Sequence, residues 1–314
     1  MLDDLLRQTE EQCNAALGSP NIAAVLRELD QRGVSRVARL ESLRHYWKRT
    51  SYPKSSSAAI QQVREKFAEP EQFLVERAML VDACAASLPK LRELPVFKSV
   101  REFMCREFQV YARPPEKWLV HFNPDSYSFR VYCAQALLRR LVAGQLSWVV
   151  SGIPPSWLPR MPLRDLPRVL KLIAGELGGF APLVATHLPV RRTSLLVQLE
   201  KEWTKSYYRL ARSIERQPEV RGLAASSWLF SEETVRVTPH LAWTRRIFEE
   251  NGAILVDMGK AAPDSGFLTG STLRQKLYAE GKYQPRETAV IWPRRAMLQW
   301  AHSRPDLDDS CAPA

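Results

Sequence analysis

The sequence predicts an α/β domain, a mixed sheet with helices on both faces, preceded by an all-helical N-terminal region. Three observations predict it. Over the first hundred or so residues the apolar positions recur at three- and four-residue steps, the period of one helix face. Nothing in that part alternates as a half-buried strand does. From about Glu116 onward, short apolar runs, partly β-branched or aromatic, are separated by longer helical patterns, as in a sheet covered by helices. The expected organisation is therefore a helical region over 1–115, an α/β domain over 116–303 and a disordered tail, RPDLDDSCAPA, over 304–314.

The helical region is justified piece by piece. Leu5, Leu6, Ala15 and Ala16 fall on one stripe, as do Ile22, Val25, Leu26 and Leu29, and then Val34, Val37, Leu40 and Leu43. Asn21 and Ser35 suit helix starts and Gly33 a stop. SYPKSSS (51–57) is a breaker-rich loop, followed by helical patterns from about Ala58 to Phe67 and from about Pro70 to Leu88. In the second region the strand-like runs are WLVHF (118–122), LSWVV (146–150), PLVATHL (182–188), GLAASSWLF (222–230), AILVDM (253–258) and TAVIW (288–292). Helical patterns between and after them cover Cys133–Val142, Leu166–Leu177, Ser194–Glu215, Leu241–Glu250, Leu273–Glu280 and Arg294–Ala301. PPSWLPRMPLRDLP (154–167) reads as a rigid proline-rich loop.

Composition bounds the function. A chain of 314 residues, 45% hydrophobic and 25% charged, is an ordinary globular one with room for a large core. The formal net charge of +11 favours anionic partners: nucleic acid, phosphate-bearing ligands or an acidic carrier protein. The excess is spread over the chain, with 26 Lys/Arg against 19 Asp/Glu in residues 1–190 and 18 against 12 in 191–300. The five cysteines are scattered, never as CxxC, which points to free thiols in a reducing cytoplasm and away from a clustered zinc site. The acidic start MLDDLLRQTEEQ is unlike a signal peptide, and no apolar run approaches the ~18 residues of a membrane span. The expectation is a cytoplasmic protein with no membrane partner.

No complete catalytic signature occurs: there is no GxSxG, and no Ser/His/Asp or Cys/His arrangement stands out. Three connections have the chemistry of an anion-facing helix start. PVRRTS (189–194) supplies Arg191 and Arg192, with Thr193 or Ser194 as cap. SEETVRVTPH (231–240) offers Thr238 as cap, Pro239 at the first helical position and His240 just inside. PDSGFLTGSTLRQK (263–276) is a Gly/Ser/Thr loop before a helix carrying Arg274 and Lys276. Its GFLTGST has three residues between the glycines and no lysine after them, so it is no Walker loop. In the first region, residues 32–54 hold seven cations (Arg32, Arg36, Arg39, Arg44, Lys48, Arg49, Lys54) against the single acid Glu41, with Tyr46 and Trp47 interleaved. That pattern suits phosphate contacts and base stacking, which makes a non-enzymatic nucleic-acid-binding protein the alternative function. Glu41 and His45 sit one helical turn apart, but no second such pair exists, and no metal is expected.

The C-terminal portion resembles the GNAT-type acyl-CoA N-acyltransferases. The carrying residues are PLVATHL, the turn PVRRTS, the helix Ser194–Glu215, GLAASSWLF and LAWTRRIFEENGAILVDMG (241–259), whose IFEENGAIL is similar to that family's F-Y-E-x-x-G-F phrase. The resemblance covers roughly a quarter to a third of the chain. It implies acyl transfer from acyl-CoA, or by the same chemistry from an acyl carrier protein, to an amine, with no permanently bound cofactor. It implies further that Arg191, Arg192, Thr193 and Ser194 bind pyrophosphate. His187, Glu232 or His240 would take the proton of the attacking amine, and Ser226, Ser227 and Trp228 would flank the acceptor. The chain departs from the family twice: PVRRTS has no glycine, and Phe248 stands where a tyrosine general acid is frequent.

Overall fold

A computed structural model describes residues 1–48, 54–66, 74–113, 127–187, 200–262, 265–269 and 271–308. The expected strand at 118–122 and the turn at 189–194 lie outside them. Two compact units result, residues 1–94 with 98–142, and residues 95–97 with 143–314, against the division expected at 115/116.

The first unit is built on helices α1 (Leu2–Leu17), α2 (Pro20–Gln31), α3 (Arg36–Lys48), α4 (Lys54–Arg64), α5 (Leu74–Glu93), α6 (Lys98–Ala112) and α7 (Tyr127–Ala136). The periodic residues supply the core: Leu6, Cys13, Ile22, Val25, Leu29 and Leu43 are buried. α2 starts at Pro20, not Asn21, because proline fits the first helical position, where no N–H partner is needed. Ser35 accepts from the Ala38 N–H (3.3 Å) and opens α3. Residues 133–142 are not one helix. α7 ends at Ala136, Leu138 takes a positive φ of 54°, and Leu141–Val142 form a two-residue strand, β1.

The described arginines of the basic segment 32–54 are paired within the unit. Arg39 is buried, with Nη1 on Asp30 (2.5 Å) and Nε on Asp82 (3.3 Å), while Arg36 pairs with the same Asp82 (2.9 Å). Arg32 reaches Glu28 (2.7 Å) and Arg44 pairs with Glu41. Apart from Glu41 these acids sit before and after the segment in sequence, so its local excess of cations overstates the charge its described arginines present. The side chains of His45, Tyr46, Trp47, Lys48 and Lys54 lie outside the described residues.

The second unit is the expected mixed sheet. Its strands are β2 (Ser147–Ser151), β3 (Leu183–His187), β4 (Gly222–Ser227), β5 (Ile254–Lys260) and β6 (Arg286–Pro293), in spatial order β2-β3-β4-β6-β5. Among the described pairs, β3/β4 is parallel and β2/β3, β4/β6 and β5/β6 are antiparallel. Helices cover both faces. On one, a 3-10 turn (Pro155–Arg160) and α8 (Leu166–Gly175) bring Trp157, Met161, Val169, Leu172 and Ile173 onto Leu183, Ala224, Val256, Met258, Ala289 and Ile291. On the other, α9 (Glu200–Glu215), α11 (Trp243–Glu249) and α13 (Arg294–His302) build an aromatic core around Trp292, which meets Phe248 at 5.4 Å and Trp300 at 5.2 Å between ring centroids. Arg294 Nη1 donates to the carbonyls of Ile214, Gln217 and Val220, a cation closing the C-terminus of α9. Gly222 opens β4 at φ +145°, where a Cβ would stand 2.3 Å from the Trp292 carbonyl oxygen. The tail expected from 304 begins with an ordered 3-10 turn, Pro305–Leu307, that buries Leu307.

Candidate functional site

The carboxyl ends of β3 and β4 point the same way because these two strands are parallel. Their ladder has one pair among the described residues, Val184 opposite Leu223. Beyond it the strands keep their other partners: β2 pairs with β3 as far as His187, and β6 pairs with β4 as far as Ser227. Residues 185–187 and 224–227 continue the two strands past that pair and flank the β3/β4 seam towards its carboxyl end.

Three residues past the paired position lie His187 on β3 and Ser226 on β4. Strand alternation puts them on the face of Leu183 and Ala224. The His187 carbonyl accepts from Ser147 Oγ (3.2 Å). Ser226 Oγ donates to Glu287 Oε1 (2.6 Å) on β6, and the other oxygen of Glu287 is held by Arg160 from the 3-10 turn. A histidine, a hydroxyl and a carboxylate thus line one end of the sheet. On the opposite face of that end, Arg286 pairs with Asp257 (2.6 Å), whose Oδ1 accepts from the Gly259 N–H (2.9 Å).

Ser227 and Trp228 serve other contacts. Ser227 Oγ accepts from the Leu229 N–H (3.2 Å) and starts the 3-10 turn Trp228–Phe230, so the expected strand 222–230 ends at Ser227. Trp228 Nε1 donates to the Ser265 carbonyl (3.0 Å), and the Arg274 guanidinium lies 4.8 Å over its ring. Arg274, near the start of α12 (Thr272–Ala279), is buried and donates from Nε to the Phe267 carbonyl (2.6 Å) and from Nη2 to the Thr269 carbonyl (3.0 Å). Burial pulls its pKa down, and Tyr283 partly offsets this. The Gly/Ser/Thr loop thus turns its carbonyls onto Arg274, an arrangement that holds a cation rather than an anion.

Ser231, not Thr238, caps the segment after β4. Its Oγ accepts from the Thr234 N–H (3.1 Å) and opens α10 (Glu232–Val237). Thr238 makes no cap bond, because Pro239 begins only a 3-10 turn. Glu232, in the first turn of α10, and His240, in that 3-10 turn, are both exposed. Arg191, Arg192, Thr193 and Ser194 follow β3 directly, outside the described residues. Among the described residues no cluster of His, Cys, Asp and Glu could hold a metal ion, and no helix is long and apolar enough to cross a membrane.

Glu287 and Arg160 were not legible in the sequence as parts of the site. Ser226 and Glu287 are separated by 61 positions, and only strand pairing brings them together. Comparison with protein-family models, with curated proteins and with solved structures returned no match.

Proposed function

We propose that the chain is a transferase that moves an acyl group from a phosphate-bearing thioester, acyl-CoA or an acyl carrier protein, to an amine, working in the cytoplasm. The observation that carries the proposal is the seam between β3 and β4. The ends of parallel strands suit an extended ligand arm that itself bears amides, as the arm of such a donor does, because strand backbones can pair with it. The segment that follows β3 in sequence carries Arg191, Arg192, Thr193 and Ser194, the charge and hydroxyls to take the donor's phosphates. The resemblance to GNAT-type acyltransferases rests on these same segments.

At the end of the seam the roles follow from position. The amine nitrogen attacks the thioester carbonyl, and His187, at the lip of β3, takes its proton directly or through water. Strand N–H groups at the seam stabilise the oxyanion. Ser226, anchored by Glu287, and Trp228 flank the acceptor. Glu232 and His240, on the segment after β4, are the remaining candidate bases.

Thermal denaturation with and without coenzyme A tests the proposal. A ligand at a hundred times its Kd stabilises by about 2.7 kcal/mol, a rise of a few degrees for a chain of this size. The rise should vanish in the Arg191→Ala/Arg192→Ala double variant. No shift with any coenzyme A derivative would refute the acyl-CoA form of the proposal.

A further inference from the structure

α8 turns one side to the sheet and two distinct stripes to solvent. Val169, Leu172 and Ile173 are its buried side, packed on Leu183 and the neighbouring strands. The turn before it already has helical hydrogen bonds. The Leu166 N–H donates to the Pro162 carbonyl (3.3 Å) and the Val169 N–H to the Asp165 carbonyl (3.1 Å), so the helical period extends back to Leu163. Leu163, Pro167, Leu170 and Ala174 then follow one another at steps of four, three and four and form a single exposed apolar stripe. Leu163 is 85% exposed, more than any other large hydrophobic side chain among the described residues, and Leu170 is 43% exposed. Arg164, Arg168 and Lys171 repeat the same steps one residue on, all exposed, as a cationic stripe beside the apolar one. The acids of this stretch, Asp165 and Glu176, lie a further step round the helix, on the row of Val169 and Leu172.

We propose that this face of α8 docks on an anionic phospholipid surface. Leu163 and Leu170 enter the boundary between headgroups and acyl chains, and Arg164, Arg168 and Lys171 meet the lipid phosphates and carboxylates. An apolar stripe with cations beside it and no acid within it is the pattern of a helix that lies in a membrane interface. The net charge of +11 adds a longer-range attraction to the same surface. A specific protein partner is the poorer fit, because such an interface engages some 20–30 residues a side, whereas a bilayer accepts a few protruding leucines without a matching shape. Lying on a membrane is a different mode from crossing it, and it needs no long apolar helix. The proposal is independent of the acyltransferase reading, but it bears on access to the candidate site. Arg160, which holds Glu287, lies three residues before Leu163, at most about 11 Å between Cα atoms. The docked stripe therefore begins beside that site.

The test is co-sedimentation of the full chain with vesicles of phosphatidylcholine, alone or mixed with phosphatidylserine. The wild type should bind the mixed vesicles and not the neutral ones, and binding should weaken as salt rises. Arg164→Gln/Arg168→Gln/Lys171→Gln should lower partitioning about a hundredfold, at about fivefold per cation. Leu163→Ala should lower it about fivefold or more through lost apolar burial, with an unchanged melting temperature, because the side chain is already in solvent. Failure of the wild type to bind the mixed vesicles overturns the proposal. Binding that falls with salt but is the same in Leu163→Ala overturns it too, since it would reflect the basic charge of the chain alone. Equal binding by the triple variant would place the contact elsewhere, and Leu163-dependent binding of an acidic protein without vesicle binding would give the face to a protein partner. Either result overturns the lipid assignment.

Discussion

Gly222 shows how one residue sets the register of the site. At φ +145° with the Trp292 carbonyl 2.3 Å from any added Cβ, only glycine fits the start of β4. Gly222→Ala should lower the denaturant midpoint by the equivalent of about 3 kcal/mol, from backbone strain and overpacking together. An unchanged midpoint would mean that β4 does not begin as described. Arg39 is the counterpart in the first unit. Its guanidinium and Asp82 are both buried, so Arg39→Met leaves Asp82 with only the more exposed Arg36. The expected loss, about 3 kcal/mol or more, is read by urea unfolding at neutral pH. The cysteines act through pH. Burial raises Cys13 from 9.0 to about 12 and Cys105 from 9.0 to about 11. A thiol whose folded pKa is raised stabilises fully below the unfolded value and less as pH climbs. Stability should therefore decline between pH 9 and 12, and a thiol reagent at pH 8 should find these two only after unfolding.

At the scale of elements, Arg274 clasps the 265–269 loop to Trp228 through two carbonyls and a ring. Arg274→Ala should speed amide exchange in that loop by about tenfold or more, as loss of charged hydrogen bonds implies, and leave β4 and β6 protected. Equal exchange in both proteins would show that the loop holds itself. The strands from β2 to β6 were legible in the sequence to within a few residues, because short apolar runs between turn-forming residues carry a local signal. Element ends were less so. Ser227 ended a run that looked nine residues long by capping a turn, and Ser231 took the capping role that Thr238 seemed to offer, since both outcomes depend on where the chain bends. Ser226 was legible as a candidate, whereas its partner Glu287 was not: strand pairing is a long-range property that no local pattern carries. The partners of Arg36 and Arg39 in the basic segment 32–54 were hidden for the same reason, Asp30 and Asp82 lying outside the window.

For the whole molecule, two units divide the labour that a net charge of +11 left undivided. In the first, described arginines of the basic segment are held by acids of the same unit. In the second, the parallel pair β3/β4 stands among antiparallel described pairs, and the basic segment 189–194 follows β3 in sequence. The central claim is that the seam between β3 and β4 receives the acyl donor. Amide hydrogen exchange with and without coenzyme A tests it most directly. Protection should appear at the amides within 185–187 and 224–227 that point away from β2 and β6, and change little across the β5/β6 ladder. Coenzyme A binding that leaves all of those amides unchanged would contradict the account.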